Sequence, residues 1–202
     1  MHEFLTVGHS SHSTDRFLEL LLLHGVSSIA DVRSVPMSRF APQFNQEAIR
    51  ASLKEHKVRY AFLGRELGAR SDDPTCYEEG KVQYGRLEAT DLFRQGIARL
   101  ESVEEHEVVA IMCTEKDPLC CHRTLLISRV LYERGHDIKH ILGDGSLEDQ
   151  DDAIERLIRE TKVPQPSLLE PQFDPRSAAL ALREAEIAYV RPASASRVVA
   201  AG

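Results

Sequence analysis

Between Cys113 and Arg123 the chain reads C-T-E-K-D-P-L-C-C-H-R, which gathers three thiols, two carboxylates, one imidazole and two cations into eleven residues. An apolar run, Val108 to Met112, precedes it, and Leu125, Leu126, Ile127, Val130 and Leu131 follow at helical spacing. The pattern predicts a buried strand ending at Cys113, a polar loop, and a helix beginning near His122 and Arg123. Thiolate is the reactive form of cysteine, and free thiols titrate near about 8.5. Backbone N–H groups at a helix start, together with Lys116 or Arg123, would lower that value. Cys113 is open to three roles: nucleophile, metal ligand or buried structural thiol. Glu115 or Asp117 could supply a base or nucleophile, and His122 could shuttle protons.

Cys120, Cys121 and His122 are donor types that suit zinc. Their spacing from Cys113 is wide, however, no C-x-x-C pair exists, and the adjacent Cys121 and His122 cannot easily share one tetrahedral ion. No cofactor is firmly implied, and zinc is only weakly signalled. Arg123 in a first helical turn opposes the helix dipole. A bound phosphate or carboxylate would make sense of it, as would an ion pair with Asp31 or Glu115.

Two other strand ends carry polar groups. Gly8-His9-Ser10 follows the apolar stretch Phe4 to Val7, and Asp31-Val32-Arg33-Ser34 follows Ser28 to Ala30. In open parallel sheets ligands bind beyond the carboxyl ends of strands, so three such ends on one side indicate a site. Asp31 reads first as half of an internal pair with Arg33, because a buried carboxylate is costly alone. Arg33 reads first as a ligand contact.

The elements that must position these groups alternate strand and helix. Strands are expected at Phe4–Val7, Ser28–Val32, Val58–Leu63, up to Cys113, and at Asp137–Leu142. Helices are expected after Ser13 or Thr14, from Asn45 as N-cap to about Lys57, over Leu87–Val103, and from about His122 to Arg134. This is an α/β fold: three layers, with a mostly parallel five-stranded sheet and helices on both faces. The segment from Gly64 to Tyr84 reads as a long loop covering the strand ends, with Tyr77 and Tyr84 as candidate contacts. The domain is drawn at residues 1–145. A C-terminal extension, 146–202, holds an acidic helix (Ser146 to Glu160), a proline-rich stretch and a small-residue tail. It could dock through Leu168, Leu169 and Phe173.

Composition narrows the class. The 202 residues are 42% hydrophobic and 28% charged, as in globular chains, and net charge is −7. That acidity argues against duplex nucleic acid as a partner. No apolar run approaches roughly 18 residues and no signal peptide is visible, so no membrane association is expected. Four cysteines are too few for a disulfide framework, which suits the cytoplasm. Oligomeric state is not legible.

T-V-G-H-S, A-D-V-R-S-V-P-M-S-R, P-Q-F-N, V-R-Y-A-F-L-G-R-E-L-G and C-T-E-K-D-P-L-C-C-H-R-T together resemble one bacterial and archaeal family, domain of unknown function 488, over about residues 4 to 142. The resemblance implies an α/β fold with a shared polar pocket. Its pattern falls on Gly8, His9, Ser10, Asp31, Arg33, Pro36, Ser38, Phe44, Asn45, Leu67, Gly68, Cys113, Glu115, Asp117, Pro118, Cys121, His122 and Arg123. A looser similarity links the strand–Cys–loop–Arg–helix layout to rhodaneses and cysteine phosphatases. Here the loop is longer, and Glu115 and Asp117 would repel a phosphate or sulfate.

The expectation is a small cytoplasmic enzyme, a hydrolase or transferase, acting on an anionic, nucleotide-like or phosphorylated small molecule. Cys113, Glu115, Asp117 and His122 are the candidate catalytic residues. Gly8, His9, Ser10, Asp31, Arg33, Ser38, Asn45, Lys116, Cys121 and Arg123 are the candidate binding residues. The alternative is a non-catalytic module that binds a nucleotide or a nucleic-acid end.

Overall fold

The computed structural model describes residues 1–104, 106–164 and 172–192. Its first strand, β1 (Glu3–Gly8), leads into α1 (Thr14–Leu23), where the Ser13 hydroxyl accepts from the Arg16 N–H as the expected cap. Then come β2 (Ser28–Asp31), α2 (Gln46–Glu55), β3 (Arg59–Phe62) and the short α3 (Gly64–Leu67). A small hairpin of β4 (Tyr77–Glu78) and β5 (Lys81–Val82) follows, then α4 (Tyr84–Glu88) and α5 (Asp91–Glu101). The strand β6 (Val109–Cys113) is wholly buried. After its loop come a π-helical stretch (Arg123–Ser128) and α6 (Arg129–Glu133). The described chain closes with β7 (Asp137–Ile141), β8 (Leu147–Asp149), α7 (Gln150–Thr161) and α8 (Pro175–Ile187).

The main sheet has six strands in the order β3-β2-β6-β1-β7-β8. All five expected strands are present and mutually parallel; the sixth, β8, pairs antiparallel with β7. The acidic helix expected from Ser146 to Glu160 does not include Leu147 to Asp149. That segment instead uses the free edge of β7, and the helix begins only at Gln150. The predicted helix over Leu87–Val103 is two helices, because the Thr90 hydroxyl accepts from the Phe93 N–H and starts a new one.

β-strand alternation divides the core in two. Leu5, Val7, Ile29, Ala110 and Met112 face Phe17, Leu21, Phe44, Ile49 and Leu53. Phe4, Ala30, Ile111 and Cys113 face Ile97, Leu126, Leu131, Ile154 and Leu157. Residues after Gly145 belong to the second cluster through Ala153, Ile154, Leu157, Val163, Ala179 and Ala188. Phe173 packs against it from the edge, while Leu168, Leu169 and 193–202 lie outside the described residues. No described helix is long and apolar enough to cross a membrane.

The segment from Gly64 to Tyr84 is not a free loop. Leu67, Cys76, Val82 and Tyr84 are buried, so it folds into the core as a short helix and the hairpin.

Candidate functional site

The strand order places the site. β6 lies between β1 and β2, with Gly8 in register with Cys113 and Asp31 with Met112. Three strand ends therefore stop at one level. Beyond them lies a cleft of about 360 Å³, lined from the predicted set by Arg33, Ser38, Cys113, Glu115, Cys121 and His122.

Its floor is a sulfur–imidazole cluster. His122 Nδ1 lies 3.8 Å from the sulfurs of both Cys113 and Cys121. His122 Nε2 lies 3.2 Å from the Val32 carbonyl, which can only accept, so Nε2 carries a hydrogen and Nδ1 faces the sulfurs, as a lone pair in the neutral ring and as a donor in the protonated one. Adjacent side chains converge here because the backbone changes region between them. Cys121 is extended (φ −143°, ψ 141°) and His122 is helical (φ −60°, ψ −22°). The donor atoms of the adjacent Cys121 and His122 thus lie on one side, which their sequence spacing does not suggest.

The two thiols differ in character. Hydrogen bonding to the Cys121 sulfur, followed by burial, pushes the Cys113 thiol well up. Burial also acts to raise Cys121, but the hydrogen bond from Cys113, the Arg123 charge and His122 outweigh it and hold this thiol well below its usual value. The Arg123 backbone N–H, 3.5 Å from Cys121 Sγ, adds to that stabilisation. Of the two thiols, Cys121 is the one whose ionised form these surroundings favour. Its charge raises His122 despite burial. Glu115 sits at the rim with Oε2 3.3 Å from Cys113 Sγ, and desolvation, then Cys121, raise its carboxyl.

Several predicted residues stand behind the cleft rather than on it. Asp31 accepts from Arg33 through Nε at 2.9 Å and Nη2 at 2.6 Å, and from the Tyr60 hydroxyl at 2.7 Å. This is the expected internal pair. His9 is buried and stacked on Phe44 with ring centroids 4.4 Å apart. Its Nδ1–H donates to the Ser10 carbonyl, and its Nε2 faces Arg33 Nη1 at 3.3 Å. Burial first, then Arg33, lowers its pKa to about 4, so His9 is a neutral brace for Arg33. Ser10, at φ 49°, donates its backbone N–H to the Thr114 carbonyl and extends the β1–β6 pairing into the loop.

Asn45 stands at the N-cap of α2 without capping it. Its Oδ1 accepts instead from the Ser38 N–H at 2.7 Å, which holds the loop that carries Ser38 to the cleft. Lys116 is exposed and runs past Gly143, away from the cleft. Asp117, expected to be catalytic, turns outward. It forms a two-pronged pair with Arg156 on α7, both contacts 3.0 Å, and caps the Leu119 N–H. Burial opposes the effect, but Arg156 keeps its carboxyl below the ordinary range.

Arg123 is corrected most. It is fully buried, and its Nη1 donates to the Glu115 carbonyl at 2.7 Å and Nη2 to that of Lys116 at 3.4 Å. Its Nε donates to Thr6 Oγ1 at 3.4 Å. The guanidinium, open on sequence to an anion or to an ion pair with Asp31 or Glu115, holds the loop, whose carbonyls lack strand or helix partners.

Three cleft residues were missed or underweighted. Arg70 lines it, exposed, with no carboxylate partner among the described residues and its guanidinium 4.6 Å above the Tyr189 ring. Ile187 and Tyr189 form a wall from the C-terminal extension. They reach it because Val82 N–H donates to the Tyr189 carbonyl and Arg191 N–H to that of Gly80. Nothing local in A-E-I-A-Y-V-R signals this. Tyr84 lines the cleft as expected, whereas Tyr77 donates its hydroxyl to Ser71 and lies under Arg191.

Comparison with known proteins adds one positive result. No curated protein and no solved structure matches the chain. The family model described as domain of unknown function DUF488 matches residues 13–130, more than half the chain, including every cleft residue except Ile187 and Tyr189. The chain therefore belongs to the DUF488 family.

Proposed function

We propose that the cleft is the active site of a hydrolase or transferase acting on an anionic small molecule, nucleotide-like or phosphorylated. The observation that carries this reading is the pairing of opposites within one cleft. A buried Cys113–Cys121–His122 cluster forms the floor with Glu115 at its rim, and Arg33 and Arg70, the latter without a carboxylate partner among the described residues, stand on the walls. Sites whose groups perturb one another this strongly are more often functional than structural. The volume of about 360 Å³ suits a small ligand. Arg33, fixed by Asp31 and His9, supplies a preorganised charge, and Arg70 supplies an exposed one. Ser38 lies close enough to donate to the same ligand. All four cysteines are free thiols, which suits the reducing cytoplasm.

The test is thermal stabilisation by nucleoside monophosphates and diphosphates, sugar phosphates and dicarboxylates. At least one phosphorylated class should raise Tm in the wild type and lose most of that effect in Arg70→Ala. No stabilisation by any anion, or an undiminished effect in Arg70→Ala, overturns the reading. Binding without turnover of any ligand makes the protein a binding module.

A further inference from the structure

The floor of the cleft meets the requirements of a metal centre. The donor atoms of Cys113, Cys121 and His122 all lie within 4.8 Å of one another, and all three residues are buried. Tetrahedral zinc, with Zn–S bonds of about 2.3 Å and Zn–N bonds of about 2.0 Å, sets sulfur–nitrogen edges of about 3.5 Å. The observed separations of 3.8 Å from Nδ1 to each sulfur come within a few tenths of an ångström.

The surroundings are those of a liganding histidine. Metal-bound imidazoles donate their other N–H to a carbonyl or carboxylate, which fixes ring and tautomer. Here Nε2–H donates to Val32 O on the neighbouring strand, so in the neutral ring that a metal requires the Nδ1 lone pair is aimed at the sulfurs. The Arg123 N–H beside Cys121 Sγ is the matching outer contact for a thiolate. Glu115 stands near Cys113 but outside the cluster of three. The fourth side of the cluster opens to the cleft, because all three donors line it.

The geometry points to a mononuclear zinc site in which Cys113 Sγ, Cys121 Sγ and His122 Nδ1 supply three ligands and the fourth position opens into the cleft. It deepens the proposed function and rests on that reading only for the use of the open position. Three protein ligands and one exchangeable position characterise catalytic zinc, whereas structural zinc is closed by four. Glu115 is then placed to hydrogen-bond whatever oxygen occupies the fourth position. The zinc is a divalent cation held by two thiolates, so binding releases the protons those thiols carry.

The test titrates zinc chloride into the reduced, metal-stripped full chain against a chromophoric chelator, and repeats the titration with cobalt(II). The expected result is one zinc per chain and a cobalt spectrum with sulfur-to-metal charge transfer and tetrahedral bands. Cys121→Ser and His122→Ala should each weaken zinc by more than the about 10–100-fold typical of losing an outer contact. Cys120→Ser, outside the cluster, should change nothing. No stoichiometric zinc in the wild type, a cobalt spectrum without sulfur, or zinc retained by a Cys113→Ser/Cys121→Ser double variant overturns the site. The cobalt spectrum needs no variant, so misfolding cannot mimic failure. Anion stabilisation is scored separately in the same stripped protein. Zinc without anion binding upholds the metal site and overturns the proposed function. Anion binding without zinc does the reverse.

Discussion

A Cβ placed on Gly8 would lie 1.8 Å from the carbonyl oxygen of Glu115, the same oxygen that Arg123 Nη1 holds at 2.7 Å. The end of β1 and the loop after β6 are thus in backbone contact, with no room for a methyl group. Gly8→Ala should cost about 1–3 kcal/mol, as overpacking of a filled site does, and should displace Glu115 from Cys113. Gly85 in α4 has nothing within 4 Å of its would-be Cβ. There alanine should stabilise by about 0.5–1 kcal/mol. Urea unfolding of both variants checks the contrast; equal effects would show that the close approach at Gly8 is relieved without strain.

Arg123 should matter to stability more than to charge. Lysine in its place cannot span Thr6 and two loop carbonyls, so Arg123→Lys should lose about 2–4 kcal/mol. Denaturant midpoints measure this. A loss below about 0.5 kcal/mol would mean that the loop holds itself.

Asp117→Asn separates scaffold from chemistry. The pair with Arg156 is part-exposed, so its loss should cost about 1 kcal/mol or less and leave ligand stabilisation in the cleft unchanged. A selective loss of turnover with unchanged stability would return Asp117 to the active site.

Acid should destabilise the fold before the carboxylates titrate. His140 is buried between the Thr6 hydroxyl and Gln150 Oε1, and desolvation, then Arg123, lowers its pKa to about 3. His9, at about 4, behaves likewise. For a folded pKa below the unfolded value near 6.5, the unfolded chain takes the proton first. The stability is complete above about pH 6.5 and is lost as pH falls. Each histidine contributes up to about 1.4 kcal/mol per pH unit between about 6.5 and its folded value. Unfolding free energies at pH 7.5, 6 and 5 should show the decline, and His140→Gln should flatten part of it. A flat profile over this range would contradict it.

Tyr189 should act through Arg70. An exposed cation–π contact is worth about 0.5–1 kcal/mol, so Tyr189→Ala should weaken binding of the stabilising anion by about 2–5-fold with little change in fold stability. Titration calorimetry with that anion decides; unchanged affinity would mean that Arg70 needs no support.

The sequence made the parallel sheet legible because its five parallel strands are short, carry an apolar or alternating pattern, and are bounded by turn residues. The sixth was not, because L-E-D has no strand pattern and pairs only because β7 offers a free edge. The site was legible as a place, since strand ends must lie together once β6 enters between β1 and β2. The direction each side chain takes was not. Asp117 and Arg123 sit in the motif yet point to α7 and to the loop backbone. Nothing in the order of residues shows which thiol meets the Arg123 N–H. Tyr189 lies more than seventy residues beyond Cys113 and reaches the cleft only by pairing with β5.

The most direct test of the active-site reading compares alkylation of the folded, metal-stripped protein by anionic iodoacetate and by neutral iodoacetamide, with each cysteine mapped by mass spectrometry. Cys121 should label ahead of Cys113 and Cys76, and the iodoacetate-to-iodoacetamide rate ratio at Cys121 should fall several-fold in Arg70→Ala. Labelling of Cys121 only on unfolding, or a ratio indifferent to Arg70, would contradict a cleft that draws anions to a reactive thiolate.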